Sequence, residues 1–251
     1  MYGLDLFSGI GGITESLEGY VKPIAYCERE RSAIAILLSR IFRNEIPNAP
    51  VWDDVQTLRG GALPIQPEII YGGFPCQDFS IAGHGKGLDG ERSILFEEML
   101  RLVSEIRPKF VFMENVPKIV DRGGLLAVTR ELTKLRYDTR WGVLSSGRMG
   151  ANHLRRRWWL LAYATGERCS GMVQSRKGRR ADIYRPLLKE RFDGQAPLQI
   201  PVAIPFSQAS QGVRRMDDGV PEELYGIRAL GNGVDPRVSR EAFERLMGIK
   251  Q

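Results

Sequence analysis

Short, almost wholly apolar runs recur through residues 1–164 and alternate with segments of helical periodicity. Apolar runs of this length predict strands that are buried on both faces of a sheet. We place them at residues 2–7, 23–28, 68–73, 109–115 and 156–164. Helix-like segments lie between them, at residues 11–19, 31–42, 94–106 and 125–135. The alternation predicts an α/β fold with a mostly parallel central sheet covered by helices.

The pattern changes after Ala164. Residues 165–225 are rich in Gly, Pro, Ser, Gln and Arg and have little periodicity, whereas a turn and a helix-like segment return before residue 248. A weakly patterned stretch between two patterned ones favours a small inserted domain over a disordered tail. We therefore expect a main domain at 1–164, the insert at 165–225, and a segment at 226–251 that returns to the main domain.

Positive charge gathers in this insert. The chain carries a net charge of +6, and residues 167–193 hold eight basic and four acidic side chains, which leaves +4 in that stretch. The densest cluster consists of Arg176, Lys177, Arg179 and Arg180. Such a cluster is typical either of a polyphosphate-binding surface or of an ordinary solvated face, and charge alone does not separate the two.

The rest of the composition limits the class of protein. The first residues show no basic segment followed by an apolar one, and no apolar run approaches the roughly 20 residues that span a bilayer. Three unevenly spaced cysteines and two histidines, His84 and His153, make neither a disulfide framework nor a structural zinc site. We expect a cytoplasmic, monomeric protein that binds no metal and no membrane.

The ends of the first two predicted strands carry features of a nucleotide site. The sequence "DLFSGIGG" begins at Asp5, and its glycines would let a ligand approach the backbone. Thr14 stands where the third glycine of a GxGxxG pattern would be, which disfavours a pyrophosphate. Glu28 ends the second strand, where an acid binds ribose hydroxyls in nucleotide-binding folds. The pair predicts an adenosine-containing cofactor, and an ordinary turn with a solvated glutamate is the alternative.

Cys76 follows the third apolar run, in "GGFPCQDFS", residues 72–80. Its polar neighbours do not suit a buried cysteine, whereas Cys27 lies in an apolar strand and does. Glu114 ends the next strand along the chain and should lie beside Cys76. A thiol and a carboxyl without a histidine partner are not hydrolase chemistry. They suit a thiolate that adds to an electrophilic carbon while an acid protonates the acceptor.

These segments resemble the DNA (cytosine-5)-methyltransferases of bacterial and phage type, in the family's order. The resemblance covers most of the chain, and the pairing of PCQ with ENV at this spacing is highly specific. The matching segments are "DLFSGIGG" (5–12), "WDDV" (52–55), "GGFPCQDFS" (72–80), "ERSILF" (91–96), "MENV" (113–116), "HLRRRWW" (153–159) and "ALGNGVDP" (229–236). His153 replaces the usual glutamine of a QxRxR motif, and Gly233 and Asp235 depart from the usual GNxVxP.

The resemblance implies a Rossmann-like, S-adenosylmethionine-dependent fold and a covalent mechanism on a cytosine flipped out of duplex DNA. Cys76 would add to C6 of the base, which makes C5 able to accept the methyl group. Glu114 would bond N3 and the exocyclic amine, and Asn115 would fix the loop geometry. Arg155 and Arg157 would favour the thiolate and bind the cytosine O2.

The resemblance also implies cofactor and DNA contacts. The glycine turn, Glu28 at the ribose, Asp54 at the adenine amino group and the final motif would bind the cofactor. The implied cofactor residues are Phe7, Ser8, Gly9, Ile10, Gly11, Glu28, Arg29, Asp54, Val55, Gly73, Pro75, Leu95, Asn232 and Gly233. The insert would be a short target-recognition domain, and the glycine-rich loop after Cys76 would close over the base. The implied DNA-binding residues are Ser80, His84, Arg92, Arg176, Lys177, Arg179 and Arg180.

Three rival functions are weaker. A tRNA cytosine-5 methyltransferase, from a branch of the same family, is expected to carry a Cys-Phe-Thr tripeptide, which this chain lacks. An inactive DNA-binding scaffold usually loses the nucleophile or the acid, and Cys76 and Glu114 are both present. A nicotinamide-dependent enzyme is disfavoured by Thr14 and leaves Cys76 without a role.

Overall fold

The computed structural model describes residues 1–75, 94–121, 123–149, 155–166 and 233–250. Several residues singled out above lie outside these ranges, and their expected roles stay predictions. They are Cys76, Ser80, His84, Arg92, His153, Arg176, Lys177, Arg179, Arg180 and Asn232.

Seven strands of the described chain form one sheet in the order β3-β2-β1-β4-β5-β7-β6. Their bounds are β1 Tyr2–Leu6, β2 Lys22–Cys27, β3 Val51–Trp52, β4 Ile69–Gly73, β5 Phe110–Asn115, β6 Tyr137–Ser145 and β7 Arg156–Ala164. The first five strands pair in parallel, and β7 runs antiparallel to both β5 and β6. The predicted α/β fold with a mostly parallel sheet is therefore confirmed.

The helices connect and cover these strands. Their bounds are α1 Gly12–Ser16, α2 Arg31–Phe42, α3 Ile94–Ile106, α4 Lys118–Asp121, α5 Gly124–Lys134 and α6 Pro236–Met247, with 3₁₀ turns at Gly60–Ala62 and Ser146–Met149. The bounds of α2 and α3 agree with the helical periodicity, whereas α1 is shorter than the predicted segment. Among the described helices, none is both long enough and apolar enough to cross a membrane.

Two features of the sheet differ from the sequence-based expectation. The strand β6, "YDTRWGVLS", was not predicted, because its half-exposed edge position mixes polar and apolar residues and leaves no continuous apolar run. The strand at 156–164 has the predicted bounds, but its direction is antiparallel. Apolar periodicity reports burial and not direction, so the sequence could not show this reversal.

The core lies on both faces of the sheet. Leu4 and Leu6 face one layer, where they join residues of α3 such as Met99. On the other face, Phe112 and Trp159 stack with ring centroids 5.3 Å apart and join residues of α1 and α6. Trp158 and Trp159 are both fully buried and point into opposite layers. They are packing residues of the core.

The helix α6 packs against α1 although the two are far apart in sequence. The Ser16 hydroxyl donates to the Ser239 hydroxyl at 2.7 Å, and the Tyr20 hydroxyl donates to Glu244 at 2.9 Å. Asp235, a departure from the expected motif, caps the helix by accepting from the Arg237 amide at 3.1 Å. Pro236 then occupies the first helical turn, where its missing N–H costs nothing.

Candidate active site at the carboxyl edge of the sheet

The parallel strands end at one edge of the sheet, and the antiparallel β7 begins there. Gly73 at the end of β4 is paired with Glu114 near the end of β5. Asn115 is paired with Trp158 near the start of β7, so Arg157 and Arg155 lie at the same edge. The described residues predicted for catalysis are therefore brought together by the strand register.

The turn after β1, residues 7–11, lies at this edge and is built around left-handed backbone. Phe7, Gly9 and Gly11 have φ values of 55°, 55° and 84°. Ser8 is buried and fixes the turn to β2, because its amide donates to the Cys27 carbonyl at 3.1 Å. A Cβ added at Gly9 would meet nothing within 4 Å, so the space beside this turn is open. The turn can therefore accept a ligand against its backbone.

Glu28 is bound to this turn. Its carboxylate accepts from the amides of Gly9, Arg29 and Glu30 at 2.7, 2.9 and 2.8 Å. The alternative of a merely solvated glutamate is thus wrong. The same contacts give Glu28 a supporting role that the sequence did not reveal, since it joins the end of β2 to the glycine turn.

A buried polar cluster beneath the turn was also missed. The Thr14 hydroxyl donates to Asp5 Oδ2 at 2.7 Å and lies 2.7 Å from the Tyr71 hydroxyl. Burial raises the pKa of Asp5 to about 8, and the Thr14 hydrogen bond opposes that rise. Thr14, which stands in place of a third glycine, therefore gives one oxygen of this buried carboxyl a hydrogen-bond partner. An acid inside an otherwise apolar strand was the signal for such a partner.

The remaining cofactor positions take different environments. Asp54 begins a tight turn in which its carbonyl accepts from the Thr57 amide at 3.1 Å, and Val55 is buried. Arg29 is exposed, whereas the Ile10 carbonyl accepts from Arg40 at 2.7 Å. Leu95 packs against the main core, Pro75 is exposed, and Gly73 and Gly233 are half-buried. The final motif lies close against Gly12, because a Cβ added there would be only 2.9 Å from the Val234 carbonyl oxygen.

Glu114 forms the centre of a charged cluster. One of its carboxylate oxygens lies 2.7 Å from Arg157 Nε, and its side chain is only 12% exposed. Burial raises the pKa of Glu114, and the charges of Arg157 and Arg155 oppose that rise. Burial and the Arg157 charge lower the pKa of Arg155, whereas Glu114 and Asp235 raise it. Glu114, Asp235, Arg155 and Arg157 therefore interact electrostatically in one site. The two guanidiniums stabilise the ionised form of Glu114, whereas burial favours the neutral form.

Asn115 fastens the segment that leads to Cys76. The side chain is buried, and its Nδ2 donates to the Phe74 carbonyl at 2.9 Å. Its Oδ1 accepts from the Val116 amide at 2.8 Å. Since Phe74 and Pro75 immediately precede Cys76, Asn115 holds the attachment point of that loop beside Glu114.

Cys27 is the one described cysteine, and it is unsuited to nucleophilic chemistry. Its side chain is 2% exposed, in the core below β2. Burial raises the pKa of its thiol to about 12, and the nearby Glu28 carboxylate adds to the rise. A thiol of this kind stays protonated and inert. The described residues also contain no group of three or more His, Cys, Asp or Glu that could hold a metal ion.

Comparison with known proteins agrees with this geometry. The profile of C-5 cytosine-specific DNA methylases matches residues 1–199. The type II methyltransferase M.CviJI of Paramecium bursaria Chlorella virus IL3A is 33% identical over 159 residues, which are 63% of this chain and 42% of that protein. M.HhaI of Haemophilus parahaemolyticus is 32% identical over 163 residues, 64% of this chain and 48% of that protein. The chain thus spans about half the length of these relatives.

A solved structure shows the same fold. The Entamoeba histolytica methyltransferase EhMeth has a TM-score of 0.64 to this chain at 16% identity. The match covers 100% of this chain and 99% of that one. At this identity the likeness concerns the fold alone.

Proposed function

Because the chain belongs to the C-5 cytosine-specific DNA methylase family, we propose that it is a DNA (cytosine-5)-methyltransferase. It would transfer a methyl group from S-adenosylmethionine to C5 of a cytosine flipped out of duplex DNA. The observation that carries the proposal is the buried Glu114 beside Arg157, at the edge where Asn115 holds the segment leading to Cys76.

The chemistry needs a nucleophile and an acid on one base. The Cys76 thiolate forms a bond to C6, and Glu114 places a proton at N3, so that electron density reaches C5. When bound, S-adenosylmethionine supplies the methyl group and leaves as S-adenosylhomocysteine. Loss of the C5 proton to a base then expels the Cys76 thiolate from C6, and the N3 proton returns to Glu114, which restores the cytosine ring.

The charged cluster suits these steps. Burial raises the pKa of Glu114, so this carboxyl keeps its proton to a higher pH than an exposed glutamate does. Arg155 and Arg157 provide positive charge at the same edge, which stabilises a thiolate and a carbonyl oxygen. Asp235 lies close enough to act on the Arg155 pKa, and it belongs to the motif that follows the insert.

The residues around the glycine turn suit the cofactor. The open space beside Gly9 would receive it, and Glu28 would bind the ribose from the end of β2. Asp54 would bind the adenine amino group. S-adenosylmethionine contains no pyrophosphate, so it does not need the third glycine of a pyrophosphate-binding turn, and Thr14 occupies that position.

Duplex DNA is the proposed partner. The excess of positive charge at residues 167–193 would bind its phosphates, with Arg176, Lys177, Arg179 and Arg180 at the centre. Residues 165–225 would act as a short target-recognition domain, and the protein would work as a cytoplasmic monomer. A function in restriction and modification would suit its type II relatives.

Methyl transfer to two nucleic acids tests the proposed function. The purified protein is incubated with labelled S-adenosylmethionine and either duplex DNA or tRNA. DNA from a methylation-free host that expresses the protein is sequenced for 5-methylcytosine. We expect label in duplex DNA and methylated cytosine at a recurrent sequence. Label in tRNA alone would favour the tRNA alternative, and label in neither would favour an inactive scaffold.

Glu28→Ala should weaken cofactor binding more than DNA binding. A hydrogen bond to a charged group is worth roughly 1.5–3 kcal/mol, which corresponds to a loss of about ten- to a hundredfold in affinity. Calorimetry with S-adenosylhomocysteine measures the loss. Glu30→Ala is the matched control, because the exposed Glu30 side chain makes no contact with the glycine turn among the described hydrogen bonds. Equal affinity of the two variants would show that Glu28 does not bind the ribose.

A further inference from the structure

The guanidinium of Arg101 connects the middle of α3 to the turn that carries Asp54. Its Nη2 donates to the carbonyls of Val55 and Leu58 at 3.0 and 2.9 Å. Its Nε and Nη1 donate to Glu98 and Glu105 at 2.7 and 2.6 Å. The two carboxylates on the same helix thus hold the guanidinium plane while its remaining edge binds the turn.

The turn at residues 54–58 is also held by its apolar side chains, since Val55 and Leu58 are buried in the main core. It follows β3, which is only two residues long and lies at the edge of the sheet. Within the turn, the Asp54 carbonyl accepts from the amides of Thr57 and Leu58 at 3.1 and 3.3 Å. Those bonds shape the turn but do not connect it to another layer. Glu105 adds one further connection, since its second oxygen accepts from the Gly60 amide at 2.8 Å.

We propose that Arg101 is a positioning residue for the adenine end of the cofactor. This inference rests on the proposed function, in which Asp54 binds the adenine amino group. Arg101 would not touch the cofactor. It would hold the backbone carbonyls on either side of the turn, so that the Asp54 carboxylate stays in register with the base. The hydrogen bond to adenine depends on the position of the carboxylate, because a displaced acceptor leaves the amino group unpaired.

The shape of the arginine side chain matters for this role. Its planar fork reaches four acceptors at once, two carboxylates and two carbonyls. A lysine ammonium on a flexible stem cannot reach all four. Arg101→Lys should therefore retain the positive charge between Glu98 and Glu105 but lose the hold on the turn.

The test compares two ligands that differ only at the adenine amino group. S-adenosylhomocysteine and its purine counterpart, in which hydrogen replaces that amino group, are titrated by calorimetry into the full chain. We expect the wild type to prefer the adenine ligand by roughly tenfold or more, the size of one good hydrogen bond. Arg101→Gln and Arg101→Lys should reduce this ratio to within about threefold of unity, mainly through weaker binding of the adenine ligand.

The control variant is Arg107→Gln. Arg107 follows α3 directly and donates to the Leu135 carbonyl at 2.7 Å, away from the turn. It should leave the ratio unchanged even if it lowers the melting temperature. A ratio that also stays at the wild-type value in Arg101→Lys and Arg101→Gln would overturn the positioning role alone. Failure of the wild type to bind S-adenosylhomocysteine would overturn the proposed function as well.

Discussion

Cys76→Ser should abolish methyl transfer to duplex DNA and leave the affinity for S-adenosylhomocysteine near that of the wild type. A thiol with a pKa near 8.5 is a few per cent ionised at neutral pH, whereas a serine hydroxyl is essentially un-ionised. Removing an essential nucleophile lowers the rate on the order of a thousandfold or more. Methyl transfer by the serine variant within tenfold of the wild-type rate would contradict the assignment of Cys76.

Covalent trapping tests directly whether Cys76 forms a bond to the base. A duplex with 5-fluorocytosine at the target position should bind the wild-type protein covalently in the presence of S-adenosylmethionine, because fluorine cannot leave as the C5 proton does. Denaturing electrophoresis would show the adduct, and Cys76→Ser should give none. Cys27→Ala is the control: it removes a buried thiol from the core, so it should cost stability without removing the adduct.

Glu114→Gln should lower methyl transfer by about a hundredfold to ten-thousandfold, the usual contribution of a positioned acid. Glutamine can still donate a hydrogen bond to the base, but it has no proton to give to N3. The variant also leaves Arg157 without its carboxylate partner, which lies 2.7 Å away in the wild type. Single-turnover rates and S-adenosylhomocysteine affinity separate the chemical step from cofactor binding, which should change little.

The pH profile gives a second measurement for Glu114. Burial raises the pKa of this carboxyl, so the protonated form persists to a higher pH than in an exposed glutamate. As pH rises through the raised pKa, the proton is lost and the rate should fall. That fall should be absent in Glu114→Gln. Glu68→Gln is the matched control. Glu68 pairs with Lys109, which immediately precedes β5, and this pair lies at the amino edge of the parallel strands, opposite the site. A wild-type profile in Glu114→Gln would show that Glu114 is not the acid.

Much of the fold could be predicted because strands buried on both faces of a sheet leave continuous apolar runs. The runs in β4, β5 and β7 have this form, and the structure has strands at each of them. The strand β6 has no such run, because its outer side faces no further strand. The direction of β7 also needed the structure, since a buried strand has the same composition in either direction.

The residues of the site also fall into two groups, those that the sequence could place and those that needed the structure. Glu114 and Asn115 could be placed at the site because the carboxyl ends of parallel strands meet at one edge of a sheet. Arg155 and Arg157 precede or begin β7 and reach that edge because β7 is antiparallel, so only the family resemblance had placed them there. The hydrogen bond of Thr14 to Asp5 and the two bonds of Arg101 to the carbonyls of Val55 and Leu58 could not be predicted. They join different elements of the fold, and no periodicity of the sequence records such a partner.

The contact between α1 and α6 has a consequence for the order in which this chain can fold. The bond from Ser16 to Ser239 spans 223 residues, and closing a flexible loop of that length costs roughly 5 kcal/mol in chain entropy. During synthesis the strands emerge long before α6. Phe112 then lacks the Phe243 ring, which in the finished protein lies 5.3 Å from it. We expect the nascent sheet to carry an uncovered apolar face until residues 236–247 leave the ribosome, which makes this stage the one most exposed to aggregation.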